Sequence, residues 1–201
     1  MAKKKKQSMI KDALILCAIS LIAALALGFV NELTKDRIAQ LAAEAKAEAY
    51  REVFPEAEQI IEASGNEILA NGGFSNVTLD EVCLVNDASG NHIGYVASVT
   101  LKAYDVMTLT FGYNTEGVVT GLAFLSIKET PGIGMKADEP AFKDQFAGNK
   151  ADQLVSVKSG AGEGEINAIS GATFTTDGVI KGVNAGICFM KELQTRLGGA
   201  N

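Results

Sequence analysis

The chain has few of the side chains that bind metals and metal cofactors, with three cysteines and one histidine among its 201 residues. Cys17, Cys83 and Cys188 lie far apart and form no C-x-x-C pair, so they indicate neither a zinc site nor a disulfide framework, although a Cys83 to Cys188 bridge stays open as an alternative. His92 ends a run of turn-forming residues, where an exposed histidine is expected. This scarcity argues against haem, iron–sulfur and zinc ligation within the chain, and no metal site is predicted. Any redox chemistry would need an organic cofactor.

Charge is divided unevenly along the chain. The first twelve residues hold five lysines and one aspartate, a net charge of +4, and because the whole chain carries -6, the remainder carries -10. An acidic domain is a poor partner for the phosphates of nucleic acids, so no nucleic-acid binding is expected. The lysines precede an apolar run and are typical of a membrane topology signal with some attraction to anionic lipid.

The apolar run from Ala13 to Val30 contains no charged residue. A helix of that length spans roughly 27 Å, which is close to the thickness of the hydrocarbon core. We therefore predict a cytoplasmic basic N-terminus at 1–12 and a single transmembrane helix at 13–33. A cleaved signal peptide is the alternative, but the run is longer than a signal core and no A-x-A site precedes a change in composition.

Residues 34–75 are predicted to form a helical stalk and a loop. The helix is expected to continue from Asn31 to Phe54, where Pro55 ends it, because the alanine-rich and glutamate-rich sequence has high helix propensity. A second short helix is predicted from Glu56 to Glu62, followed by a loop from Ser64 to Ser75.

Residues 76–201 are predicted to form the main domain, beginning with an antiparallel meander. Short turn sequences separate four strand candidates, as in consecutive hairpins. Apolar and polar residues alternate in the third of them, which predicts a sheet with one buried face. The candidates are Glu81–Asn86, Ile93–Leu101, Val106–Tyr113 and Val118–Ser126, followed by a short helix at Ala137–Phe146 and short strands at Leu154–Val157 and Glu165–Ile169.

A hydroxyl-rich segment around Gly171 precedes the last helix. The helix is predicted to begin near Asp177, with Thr176 as its N-cap, because apolar residues then recur at spacings of three and four. A helix N-terminus offers unpaired N–H groups and a partial positive charge, which would stabilise a phosphate carried by Thr173. The alternative is an ordinary capped turn. The segment consists of Ile169, Ser170, Gly171, Ala172, Thr173, Phe174, Thr175 and Thr176.

A second glycine-containing loop follows the fourth strand candidate. Proline fixes one bend of this loop, and its two glycines permit positive φ or close approach by another group. An ordinary turn is the alternative. The loop consists of Glu129, Thr130, Pro131, Gly132, Ile133 and Gly134. A third glycine cluster, at residues 160, 162 and 164, lacks the following helix and lysine of a nucleotide fingerprint.

The chain resembles the G subunit of the Rnf-type ion-translocating ferredoxin:NAD oxidoreductase complex. The resemblance rests on three features in this order: the N-terminal transmembrane helix, the Glu-Thr-Pro-Gly-Ile-Gly loop and the Ser-Gly-Ala-Thr-x-Thr-Thr segment. The resemblance covers essentially the whole chain. It implies an α+β fold in which a single N-terminal transmembrane helix precedes an FMN-binding domain, with a mainly antiparallel sheet and flanking helices. It also implies an electron-transfer subunit without turnover of its own, located at the bacterial inner membrane with its domain on the extracytoplasmic side and bound to the other subunits of the complex.

The resemblance further implies FMN attached covalently, through its phosphate, to Thr173. A separate flavin transferase would form the phosphoester from FAD. Thr175 and Thr176 are the reserve attachment sites, and the loop from Glu129 to Gly134 is expected to approach the flavin. The chain departs from the family pattern at Asn167, where an acidic residue is usual. The side chains that could cover the apolar face of the flavin are Phe142, Phe174 and Leu125.

Three alternatives remain open from the sequence. The related C subunit of the sodium-translocating NADH:quinone reductase shares the flavin domain. A stand-alone extracytoplasmic flavin carrier would have the same site but no tight partners. In a structural anchor without a cofactor, both motifs would be turns.

Overall fold

The computed structural model describes residues 2–62, 76–150 and 153–198, with side chains described for residues 11–62, 76–150 and 153–195. The chain divides into two compact units, Met1–Ala45 and Lys46–Asn201, and each is described by itself. The elements are α1 (Ala2–Val53), β1 (Gln59–Glu62), β2 (Val77–Asn86), β3 (His92–Lys102), β4 (Val106–Asn114), β5 (Val119–Ile127), a 3-10 helix (Gly134–Asp138), α2 (Pro140–Lys143), β6 (Val155–Val157), β7 (Glu165–Asn167) and α3 (Thr173–Gly198).

The first unit is the N-terminal part of α1. Its most apolar 18-residue window has a mean hydropathy of 2.8 and none of that window is buried. By length and composition, α1 is the one helix among the described residues that could cross a membrane. The predicted span at 13–33 lies within it.

The second unit is built on a five-stranded sheet with the order β1-β2-β3-β4-β5. Every neighbouring pair is antiparallel, which confirms the predicted meander. Each of the four predicted strands is present with slightly different ends. The short strands β6 and β7 are also present, and they pair in parallel as a separate ribbon. The fold is therefore α+β.

Two predicted helices are wrong. Residues 56–62 do not form a helix, because Gln59–Glu62 is the strand β1, in which two β-branched isoleucines pair with the edge of β2. The helix predicted over 137–146 is instead a 3-10 turn followed by the one-turn helix α2. Pro140 explains this break, since the preceding Glu139 is held in an extended conformation with φ -74° and ψ 144°. The loop predicted at 64–75 lies outside the described residues.

Both faces of the sheet are covered in the second unit, whereas one buried face was predicted. One face packs on α3, and Met107, Leu109 and Phe111 of β4 lie fully buried between them. The opposite face carries the end of α1. This second cluster consists of Ala49, Tyr50, Val53, Phe54, Cys83, Val85, Val96 and Ala123. The alternation within one strand gave no signal for this second cover, which is formed by the last turns of α1, a segment predicted to be a stalk that docks onto the domain.

Three glycines at helical spacing bring α3 close to the sheet. A Cβ added at Gly178 would lie 2.6 Å from the Cβ of Ala103, and one at Gly186 would lie 2.7 Å from Cε1 of Phe111. Gly182 faces Leu101 in the same way, with 2.5 Å to its Cδ2. Because the three positions are four residues apart, they line one stripe of the helix. These glycines let α3 lie directly on side chains of the sheet, including those of Leu101 and Phe111.

Candidate functional site

The last helix begins earlier than its apolar pattern predicts. α3 starts at Thr173, four residues before Asp177, and Thr176 lies within its first turn instead of capping it. The Thr176 N–H donates to the carbonyl of Ala172 at 3.0 Å, which closes the first helical hydrogen bond. The apolar periodicity begins only at Val179. It therefore could not predict the first turn of α3, which is held by hydrogen bonds of threonine hydroxyl groups.

The three threonines of the first turn differ in exposure. Thr175 and Thr176 are buried, with 3% and 0% of their surface exposed, whereas Thr173 is exposed. The Thr176 hydroxyl donates to the Ala172 carbonyl at 3.1 Å and accepts from the Ile169 N–H at 3.0 Å. The Thr175 hydroxyl donates to Oε2 of Glu129 at 3.2 Å. Thr173 is therefore the threonine of this turn that an external group can reach.

The start of α3 has the donor set of an anion site. Among the described residues, no hydrogen-bond partner is recorded for the N–H groups of Thr173, Phe174 and Thr175, which have no acceptor within the helix. Gly171 has φ +79°, a conformation that favours glycine and turns the chain into the helix. Free N–H groups and the positive end of the helix dipole suit a phosphate. The residues present thus fit a phosphate-linked cofactor on Thr173.

Glu129 joins three segments at this site. It is 4% exposed, and its Oε1 accepts the N–H of Asp105, in the turn between β3 and β4, at 3.0 Å. Its Oε2 accepts the Thr175 hydroxyl. A Cβ at Gly134 would lie 2.6 Å from Glu129 Oε2 and 2.8 Å from Thr175 Oγ1. The two glycine-containing motifs, far apart in sequence, therefore meet at Glu129, Gly134 and Thr175.

The rest of the 129–134 loop lies at the surface. Thr130, Pro131 and Gly132 are exposed, and Gly132 has φ +75°. The Thr130 carbonyl accepts the N–H groups of Ile133 at 3.1 Å and Met135 at 3.2 Å, which fixes the bend. Ser170 and Gly171 are likewise exposed, whereas Ala172 is buried. The predicted site residues thus divide into a buried junction and an exposed surface.

Exposed apolar side chains occur on all three segments joined by Glu129. Phe174 is 79% exposed, Tyr104 76% and Ile133 47%. Phe174 was among the predicted covers for a flavin, but Tyr104 and Ile133 were missed because exposure cannot be read from a local pattern. The other two side chains named as possible covers do not lie on this surface. Phe142 is buried in the core, and Leu125 packs against the α1 side of the sheet.

Asn167, which departs from the family pattern, has a structural role. Its side-chain Oδ1 accepts the N–H of Ala161 at 3.2 Å. Its own N–H donates to Oε1 of Gln145 at 2.7 Å. The residue therefore ties β7 to two neighbouring segments just before the hydroxyl-rich turn.

Two known families match separate parts of this chain. Residues 104–187 match the FMN-binding domain, and residues 1–53 match the RnfG N-terminal region. The chain is 33% identical over 186 residues to the G subunit of the Na(+)-translocating ferredoxin:NAD(+) oxidoreductase complex of Acetobacterium woodii, which covers 88% of this chain and 89% of that protein. It is 28% identical over 174 residues to the G subunit of the ion-translocating oxidoreductase complex of Methanosarcina acetivorans, covering 86% and 89%. The chain belongs to the Rnf G-subunit family.

The alternative of a quinone reductase C subunit is matched only in part. The C subunit of the Na(+)-translocating NADH-quinone reductase of Pasteurella multocida is 33% identical over 103 residues, which covers 44% of this chain and 40% of that protein. The matches to Rnf-type G subunits, by contrast, span both the N-terminal helix and the domain. In this G-subunit family member, the FMN-binding domain includes both the 129–134 loop and the turn at 170–176.

Proposed function

We propose that this chain is the membrane-anchored, electron-transferring G subunit of an ion-translocating ferredoxin:NAD oxidoreductase complex, carrying FMN on Thr173 through a phosphoester. The observation that carries the proposal is the exposed Thr173 at the start of α3, beside N–H groups without recorded partners and within the segment that matches the FMN-binding domain. The full-length likeness to G subunits supports the complex, including the relative whose name specifies ferredoxin:NAD oxidoreductase.

The attachment would be made by a separate flavin transferase. The Thr173 oxygen would attack the FMN phosphorus of FAD, so that a new P–O ester bond forms, the pyrophosphate P–O bond breaks and AMP leaves. The hydroxyl proton must pass to a base of the transferase. Threonine is a weak nucleophile that needs such a base, and the single histidine of the chain, His92, lies at the opposite end of β3 from the turn at Asp105.

The residues around Thr173 would hold the cofactor as follows. The N–H groups of the first turn of α3 would donate to the phosphate, whose charge the helix dipole favours. Phe174, Tyr104 and Ile133 offer apolar surface beside it. When bound, FMN supplies the capacity to accept and donate electrons, and a permanent ester keeps it on an exported domain.

Ion movement would take place in other subunits. The core of the predicted span, from Ala13 to Val30, has no charged residue, so this part of the helix offers no ionisable group to carry an ion. The lysines before it would keep the N-terminus in the cytoplasm of a bacterial cell and place residues 34–201 on the extracytoplasmic side. Alone, the chain would have no substrate turnover.

The proposal is tested by expressing the full chain together with an active flavin transferase. In-gel flavin fluorescence after denaturation, followed by mass mapping of residues 164–181, is expected to place FMN on Thr173. Thr173→Ala should give a folded, membrane-bound and non-fluorescent chain. The matched control is Thr115→Ala, which removes an exposed threonine from the β4–β5 turn and should leave the label unchanged. Full labelling of Thr173→Ala, or an unlabelled wild-type chain, would contradict the assignment.

A further inference from the structure

Glu129 is a buried carboxylate that accepts hydrogen bonds from uncharged groups. In the described part of the chain, no ion pair is recorded for it, and its two oxygens accept from the Asp105 N–H and the Thr175 hydroxyl. Burying a carboxylate without a cation costs free energy, and an apolar side chain would fill the space without that cost. The carboxylate must therefore contribute something that packing alone does not.

The first turn of α3 shows what that contribution is. Thr173 and Phe174 are exposed, so Thr175 and Thr176 are the hydroxyl side chains of this turn that face the domain, beside the buried Ala172. Thr176 bonds only within the 169–176 turn itself. Thr175 makes its hydrogen bond outside that turn, 46 residues away in sequence, to Glu129. Among the hydroxyls of the 169–176 turn, that of Thr175 is therefore the one that ties the turn to another segment, at Glu129.

Gly134 makes this contact possible. A Cβ at that position would overlap both Glu129 and Thr175, so a glycine is needed for the loop to cross the Glu129–Thr175 hydrogen bond so closely. The second carboxylate oxygen is held by the Asp105 N–H, which keeps Glu129 from rotating away. The negative charge also lies near the positive end of α3, which is favourable.

We propose that Glu129 is a positioning residue for cofactor attachment. Through Thr175 it fixes the first turn of α3 and so orients the Thr173 hydroxyl on which the flavin transferase forms the P–O bond as AMP leaves FAD. This inference rests on the proposed function, since it assumes Thr173 as the attachment site. It predicts that loss of the Glu129–Thr175 bond slows the ester-forming step without weakening recognition of the exposed motif.

The experiment measures initial rates of flavin attachment on the purified full-length chain in detergent, with purified transferase and FAD, at several chain concentrations. Loss of one hydrogen bond to a charged group should lower kcat about tenfold, with KM for the chain unchanged. Glu129→Ala and Thr175→Val should both show this loss. The double variant should be no slower than either single one, because both remove the same bond.

Two further variants separate positioning from general loss of structure. Glu129→Gln keeps the shape of the side chain and can accept from Asp105 while donating to Thr175, so it should recover most of the rate. Glu165→Gln is the matched control, because Glu165 also accepts a backbone N–H, from Gly162 at 3.0 Å, but does not contact α3 through that bond. It should label at the wild-type rate. Rates are normalised to the folded fraction found by size exclusion.

The outcomes distinguish this inference from the proposed function. If the wild-type chain is labelled on Thr173 and Thr175→Val has wild-type kcat, Glu129 has no positioning role and only this inference fails. If the wild-type chain is not labelled on Thr173, the proposed function fails. If Glu129→Ala does not fold, Glu129→Gln and Thr175→Val decide the matter. If the kcat of each of these two variants equals that of the wild-type chain, the inference is overturned.

Discussion

Tyr50 and Ser98 form a hydrogen bond, with their hydroxyl oxygens 3.1 Å apart in the interior between α1 and β3. Both residues are buried, at 6% and 3% exposure, so the contact belongs to the core of the second unit. Val53, the last residue of α1, and Phe54, which follows it, pack on the same face of the sheet. The residues that follow Lys46 are thus part of the FMN-binding unit and not only a connection to the membrane.

A fragment of residues 46–201 is therefore expected to fold without the membrane segment, whereas a fragment of residues 55–201 should aggregate or melt at a much lower temperature. Burial of Tyr50, Val53 and Phe54 contributes roughly 1.5–3 kcal/mol for each side chain, which is large against a net stability of about 5–15 kcal/mol. Circular dichroism melts and size exclusion check this. Equal melting temperatures for the two fragments would show that the α1 end is dispensable.

Gly186→Ala is expected to destabilise the domain although alanine favours helix. The new Cβ would lie 2.5 Å from Cζ of Phe111, a fully buried ring that cannot move without disturbing the core. Overpacking should cost about 1–3 kcal/mol, more than the roughly 1 kcal/mol gained in helix propensity. Urea unfolding of the 46–201 fragment measures the difference. Gly162→Ala is the control, since its nearest contact would be 3.7 Å away; a stabilised Gly186→Ala would disprove the close packing of α3.

Gly171→Ala is expected to slow flavin attachment with only a small loss of stability. No atom would touch the added Cβ, so the effect would come from φ +79°, which costs a non-glycine residue about 1–2 kcal/mol. The turn would relax and shift Thr173 at the start of α3. Labelling rate and melting temperature are measured together, with Gly162→Ala again as control. A wild-type labelling rate in Gly171→Ala would show that the turn geometry does not matter for attachment.

Cys83 should make the fold sensitive to alkali. Burial, together with a hydrogen bond to Glu81, raises the pKa of its thiol to about 12. In the unfolded chain a cysteine ionises near pH 8.5, so the unfolded state releases a proton first and stability falls as pH rises from about 8.5 to about 12. Cys83→Ala should flatten this decline relative to the wild type in urea unfolding at pH 7 to 10. Cys188→Ala, which removes an exposed thiol, is the control; an identical decline in Cys83→Ala would contradict the assignment.

Much of the fold could be predicted from the sequence because its signals are local. The uncharged run at 13–30 needs only length and composition, and the four long strands are marked by short turns and by alternation. The one-turn helix after Pro140 and the strand β1 were predicted incorrectly. The short helix depends on the extended conformation that Pro140 imposes on the residue before it, and β1 depends on pairing with β2. A count of helix propensities includes neither effect.

For the candidate site, the sequence alone indicated which two segments to consider. The glycines, hydroxyls and the Glu-Thr-Pro-Gly-Ile-Gly loop named the two motifs, and the comparisons place both within an FMN-binding domain. Only the tertiary structure decided that Thr173 is exposed while Thr175 and Thr176 are buried, that Glu129 joins the motifs, and that Tyr104 lies on a segment held by the same carboxylate. The physical reason is that these relations depend on strand register and on hydrogen bonds between residues tens of positions apart, whereas propensity and periodicity act over one or two turns of chain.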